Sequence, residues 1–119
     1  MKRDLELVKK ILLEAEKSEH GGMRKITLEG YFDETVRYHI FLMMEANLVH
    51  GVETNLMQES PGAVMDRITW DGYEFLDNAR NDTIWKKART ACKGLGFEAL
   101  KTVLQELAKT LVLSQVSNE

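Results

Sequence analysis

Apolar residues near the start of the chain recur at helical spacing: Leu5, Val8, Leu12 and Ala15, with Ile11 beside them. Asp4 stands where an N-cap belongs. Glu6 and Lys10 make a favourable i,i+4 pair on the outer face. These signals predict a helix over 4–17, stopped by Gly21-Gly22. Ile26-Thr27-Leu28 is short, β-prone and alternating, and predicts a small strand.

Helical periodicity returns after Asp33, which is expected to cap a helix over 33–46. At 100° per residue, Val36, His39, Ile40, Met43 and Ala46 share one face. Asn47 follows the last turn, and asparagine is the usual alternative to glycine in the left-handed cap position. The pattern then changes to alternation. Residues 48–53 are predicted to pair antiparallel with 64–70, with a polar stretch between them that contains Pro61. In the second strand Val64, Asp66, Ile68 and Trp70 face away from Met65, Arg67 and Thr69.

Three helices are expected to follow. Thr69 or Asp71 caps the first, which buries Phe75, Leu76 and Ala79. Asp82 caps the next, which buries Trp85, Ala88 and Cys92. Gly94-Leu95-Gly96 breaks the chain. A last helix runs from Phe97 to about Val112 with Leu100, Val103, Leu104, Leu107 and Leu111 in a continuous stripe. No internal repeat is visible. The predicted class is α+β and mostly helical. A helix leading into a hairpin is how a winged helix is built, with the helix as recognition element and the hairpin loop as wing.

The stretch YHIFLMMEANLVHG, followed by RITWDGYEFLDNAR, resembles the recognition-helix-to-wing segment of winged helix-turn-helix proteins. Thr69 and Gly72 match the segment leading out of the second wing strand, and Ile68 replaces its leucine conservatively. Asn47 stands where that pattern usually has glycine. With MKRDLELVKKILLE, ITLEGY and the closing amphipathic helix, nearly the whole chain is similar to a family of small uncharacterised bacterial proteins, often prophage-borne. The resemblance implies a winged helix-turn-helix core over 1–80 and a C-terminal helical extension over 81–119 packed on it, within one domain. It implies a bacterial or phage origin and carries no catalytic residue.

Composition narrows the partners. The 119 residues carry a formal charge of −3, spread unevenly. Residues 1–30 sum to +1, residues 31–80 to −6 and residues 81–119 to +2. An acidic middle repels a phosphate backbone on average. Charges interrupt the N-terminal apolar residues too often for a signal peptide. No run approaches the ~18 apolar residues of a membrane helix. A lone Cys92 suits a reducing compartment. A cytoplasmic protein is expected.

Catalytic chemistry is not expected. His20, His39 and His50 lack the spacing of metal ligands, and His39 falls on an apolar helix face as a packed, hydrogen-bonded histidine. Glu29, Asp33 and Glu34 flank a helix start, where negative charge meets the dipole. There is no nucleophile elbow, and Gly94-x-Gly96 is not a phosphate loop. No cofactor is expected.

Two binding functions remain. The first is a DNA-binding regulator, with Arg37 reaching bases and Lys86, Arg89 and Lys93, at i, i+3 and i+7, holding phosphates. The second is a protein-interaction winged helix. It would use Tyr38 and Phe41 on the outer face of the second helix, or the stripe of Leu100, Leu104, Leu107 and Leu111. Against DNA stand the three acids Asp33, Glu34 and Glu45 that accompany Arg37 on that face, and a wing carrying Glu53, Glu59 and Asp66 but no base. The long C-terminal stripe also predicts a homodimer, because so small a domain has limited interior to receive it.

Overall fold

The computed structural model describes residues 2–18, 25–54 and 61–117. Its elements are α1 (Leu5–Glu16), α2 (Asp33–Glu45), β1 (Val49–Glu53), β2 (Ala63–Ile68), α3 (Trp70–Ala79), α4 (Asp82–Ala91) and α5 (Phe97–Ser117). Five helices and one two-stranded antiparallel hairpin make a mostly helical α+β protein. The chain forms two compact units, Met1–Tyr73 and Glu74–Glu119. Gly21-Gly22, His20 and Glu59 lie outside the described residues.

In the first unit, Asp4 caps α1 as expected. Its carboxylate accepts the backbone N–H groups of Glu6 at 3.0 Å and Leu7 at 3.3 Å. Leu7, Val8, Ile11 and Leu12 are buried. The buried stripe therefore runs through Leu7, while Leu5 and Ala15 are only half-buried. Full burial is worth about 2 kcal/mol per side chain, so three fully buried residues, Leu7, Ile11 and Leu12, outweigh any surface pair on this helix.

Helix α2 buries Val36, His39, Ile40 and Met43. Ala46, expected on the same face, is an exposed C-cap. The expected cap Asp33 is already helical; Phe32, at φ −70° and ψ 145°, occupies the N-cap position without a side-chain bond. The same one-residue shift occurs at α4. There Asn81, not Asp82, is the cap, and its side chain accepts from the N–H of Ile84 at 3.1 Å. A cap needs extended backbone, and an acid one position later is helical yet still meets the dipole.

Asn47 has φ 61°, the left-handed conformation expected of it. The N–H of Leu48 reaches back to the Met43 carbonyl at 2.9 Å, and that of Asn47 to Met44 at 3.0 Å. This pair of bonds is a Schellman motif, sealed by the buried side chains of Met43 and Leu48. It turns the chain out of α2 and into β1.

The hairpin pairs Val49 with Ile68 and Glu53 with Ala63. His50 faces Arg67 but Gly51 faces Met65, so Asp66 is an extra residue and forms a bulge. The bulge corrects the expected alternation. Asp66 and Arg67 are both exposed, while Met65 and Ile68 are both buried. Trp70 is not a strand residue; it opens α3 and is 78% exposed. The strand expected at 26–28 is absent, because these residues join no ladder. Ile26 is buried there as a single side chain, which supplies the β-like signal without pairing.

Of the two candidates, Thr69 caps α3, accepting the N–H of Gly72 on its Oγ1 at 2.9 Å. The same hydroxyl donates to the Asn47 carbonyl at 2.6 Å, and the Thr69 N–H donates to Leu48 at 3.0 Å. The mouth of the hairpin is thus tied to the end of α2.

In the second unit Phe75 sits edge-on to Trp85 with ring centroids 6.1 Å apart, and 5.3 Å from Phe97. Leu76, Ala79, Ile84, Ala88, Cys92, Leu100 and Leu104 are buried with them. These include every apolar residue expected inside α3 and α4. Helix α4 packs along α5. Helix α5 continues to Ser117, beyond the expected end near Val112.

Candidate functional site

Helix α2 presents three surfaces. Its inner surface carries His39, fully buried. The His39 Nε2 accepts the backbone N–H of Asp4 at 2.8 Å, and Nδ1 lies 2.9 Å from the Thr35 carbonyl. An N–H can only donate, so Nε2 is the acceptor and the ring proton sits on Nδ1. This is the packed, hydrogen-bonded histidine expected from its position. Among the described residues no group of three or more His, Cys, Asp and Glu side chains is placed to hold a metal ion.

A second surface of α2 walls a cleft. Lys25, Ile26, Asp33, Arg37, Ile40, Ala63 and Val64 enclose about 360 Å³. Lys25 Nζ is 2.9 Å from the Asp33 carboxylate. That hydrogen bond and the Lys25 charge, helped by Arg37, hold the Asp33 carboxyl below its ordinary value. A depressed carboxylate contributes stability above its unfolded value and loses it as pH falls through the folded one. The pair is solvent-exposed, so its contribution is screened. Arg37 is half-buried, and its Nε is buried without a hydrogen-bond partner among the described residues. The Thr54 hydroxyl is in the same condition.

The third surface of α2 faces outward. It carries Tyr38 and Phe41, both half-buried, between the exposed Glu34 and Glu45. Tyr38 packs edge-on against His39 with centroids 5.8 Å apart. Arg37 is the only lysine or arginine in α2. The expected base-reading arginine therefore stands on the cleft wall, in a different place from the aromatic pair.

Of the expected phosphate stripe, Lys86 and Arg89 lie on α4, but the helix ends at Ala91 and Lys93 falls beyond its cap Cys92. Lys86 and Lys93 are exposed, as is Lys87. Arg89 is half-buried, with its guanidinium carbon 5.6 Å from the centroid of the Trp85 ring. On α5 the leucine stripe divides. Leu100 and Leu104 are fully buried and Leu107 half-buried. Leu111 is 39% exposed, and beside it Val112 is 57% and Leu113 68% exposed. Among the described residues no helix is long and apolar enough to cross a membrane.

Sequence reasoning did not find the cleft. Lys25, Asp33 and Arg37 carry its charge, and only the i,i+4 spacing of the last two is visible in the sequence. Thr54 and Gly62 had no signal at all. Nor had the exposure of Phe32 and Trp70, two large side chains left in water.

Comparison with known proteins gives a family and no assigned chemistry. A relative from Haemophilus influenzae, described as an uncharacterized protein, is 30% identical over 114 residues, covering 94% of this chain and 96% of the relative. No solved structure matches the chain. The family described as hypothetical protein (DUF2513) matches residues 2–98, which take in α1, the cleft, the hairpin and α4. The chain belongs to the DUF2513 family.

Proposed function

We propose that this DUF2513 protein is a non-catalytic binding module of winged-helix type that engages another protein. In this reading α2 corresponds to the recognition helix and β1–β2 to the wing. One observation carries the choice of partner. The outward surface of α2 offers two aromatics flanked by two acids, and the one arginine of the helix is placed on the cleft wall. Aromatic side chains are what protein interfaces enrich. Groove readers need cations or amides aimed at base edges.

The DNA reading keeps one supporting observation, the exposed Lys86 and Lys87 on α4 and the exposed Lys93 just past its end. A photo-crosslinking amino acid in place of Phe41 separates the two. In the bacterial host it is expected to give a discrete adduct that resists nuclease and is digested by protease. A nuclease-sensitive adduct would install DNA as the partner. In vitro, random duplex DNA is expected to bind no more tightly than about 10⁻⁴ M at physiological salt, the weak end of non-specific association. Binding that is tighter, and that Lys86→Ala with Lys93→Ala weakens, would overturn the protein reading.

The end of α5 supports self-association as part of the same proposal. Its stripe begins in the core at Leu100 and Leu104 and emerges at Leu111–Leu113. A second copy related by a two-fold axis is the simplest cover for it. Sedimentation is expected to show a dimer at micromolar concentration, and Leu111→Glu with Leu113→Glu a monomer. A wild-type monomer throughout that range would remove the dimer.

A further inference from the structure

We infer that the cleft beside α2 binds a small aliphatic monocarboxylate, with Arg37 as its anchor. The argument starts from charge. Lys25 and Asp33 are paired at 2.9 Å and largely cancel, which leaves Arg37 as the net positive charge of the lining. Its Nε–H is buried and makes no hydrogen bond with any described residue. A buried guanidinium donor without a partner is a rare arrangement, because the group gives up hydration and gains nothing in return. The Thr54 hydroxyl is buried and unpartnered as well. Both side chains border Gly62: a Cβ at that position would lie 3.3 Å from the Arg37 Cβ and 3.7 Å from the Thr54 Oγ1. Glycine there lets the chain pass close to Arg37 and Thr54, next to the lining residue Ala63.

The missing partner is an acceptor, and the strongest acceptor for a guanidinium is an oxyanion. A single negative charge matches the single net positive one. A dianion would meet the Asp33 carboxylate on the same wall. The remaining lining, Ile26, Ile40, Ala63 and Val64, is aliphatic and suits a short branched hydrocarbon body. A cleft of about 360 Å³ is at the small end of ligand sites, which suits a small acid. The same chemistry is offered by a free short-chain acid and by the C-terminus of a peptide ending in leucine. This inference stands apart from the choice between DNA and protein partners on the outward surface of α2.

The test is an amide-shift NMR titration of the full chain with isocaproate, its neutral amide, and an acetylated tripeptide ending in leucine. The acid is expected to bind saturably and about tenfold more tightly than the amide, the difference one charge-assisted contact makes. Arg37→Gln is expected to lose about as much, with Thr54→Val and Gly62→Ala weakening binding several-fold. Tripeptide binding at least as tight as the acid identifies a peptide terminus as the source. Binding of the acid alone identifies a free metabolite. Equal shifts by acid and amide, or none with millimolar acid, overturn the inference. The comparison of acid with amide uses the wild-type chain and does not depend on any variant folding.

Discussion

Gly72→Ala is expected to destabilise the protein by about 3 kcal/mol, the upper range for overpacking a rigid site. Gly72 is buried in the first turn of α3. A Cβ there would overlap the Leu48 carbonyl oxygen and stand 2.7 Å from the Ile68 Cγ2. Neither neighbour can retreat. The Leu48 carbonyl accepts the Thr69 N–H at 3.0 Å, and Ile68 is fixed by pairing with Val49. Alanine favours a helix over glycine by only about 1 kcal/mol, so the steric effect decides the sign. Urea denaturation read by circular dichroism measures it. An unchanged or raised midpoint would mean that α3 does not start against Leu48.

The second large effect is expected at His39. His39→Leu keeps an apolar body of similar size but leaves the Asp4 N–H without its acceptor, at about 2 kcal/mol. His39→Ala adds a cavity and should approach about 4 kcal/mol. His39→Gln can return an oxygen to the position of Nε2, and is expected to be the mildest of the three. This order separates the hydrogen bond from the packing. If leucine proved as stable as histidine, the bond to Asp4 would contribute nothing. The site matters because Asp4 both caps α1 and meets α2, so one residue couples the two helices.

Much of the fold was legible because its signals are local. The change of period at Asn47, the glycine break at 94–96 and the caps at Asp4 and Thr69 each rest on a few neighbouring residues. The failures share a different cause. The extra residue at Asp66 is set by register against β1, and no feature of AVMDRI reveals which residue is left unpaired. Ile26 reads as a strand because burial of one side chain and pairing of a backbone favour the same residue types. Arg37 stands out in the sequence as the one cation of its helix, but its surroundings come from Lys25, Thr54 and Gly62, far from it in the chain. A cleft of that kind has no period to read. The outward aromatics Tyr38 and Phe41 were placed from the helical wheel alone, because an outer surface follows once the inner one is known.

The bonds joining Asn47, Leu48, Thr69 and Gly72 close the chain at the hairpin mouth, and the β1–β2 ladder continues that closure along the arms as far as Thr54 and Gly62. The remaining closure entropy depends on the length of chain between Thr54 and Gly62, and only logarithmically: each doubling adds about 0.6 kcal/mol. A few residues inserted between Thr54 and Gly62, which are joined by the Thr54 N–H to the Gly62 carbonyl at 2.9 Å, would therefore add little closure entropy. A shift of one residue at Thr69 would break three bonds at once. Added length costs least between Thr54 and Gly62 and most at the hairpin mouth, where it would break the bonds at Thr69.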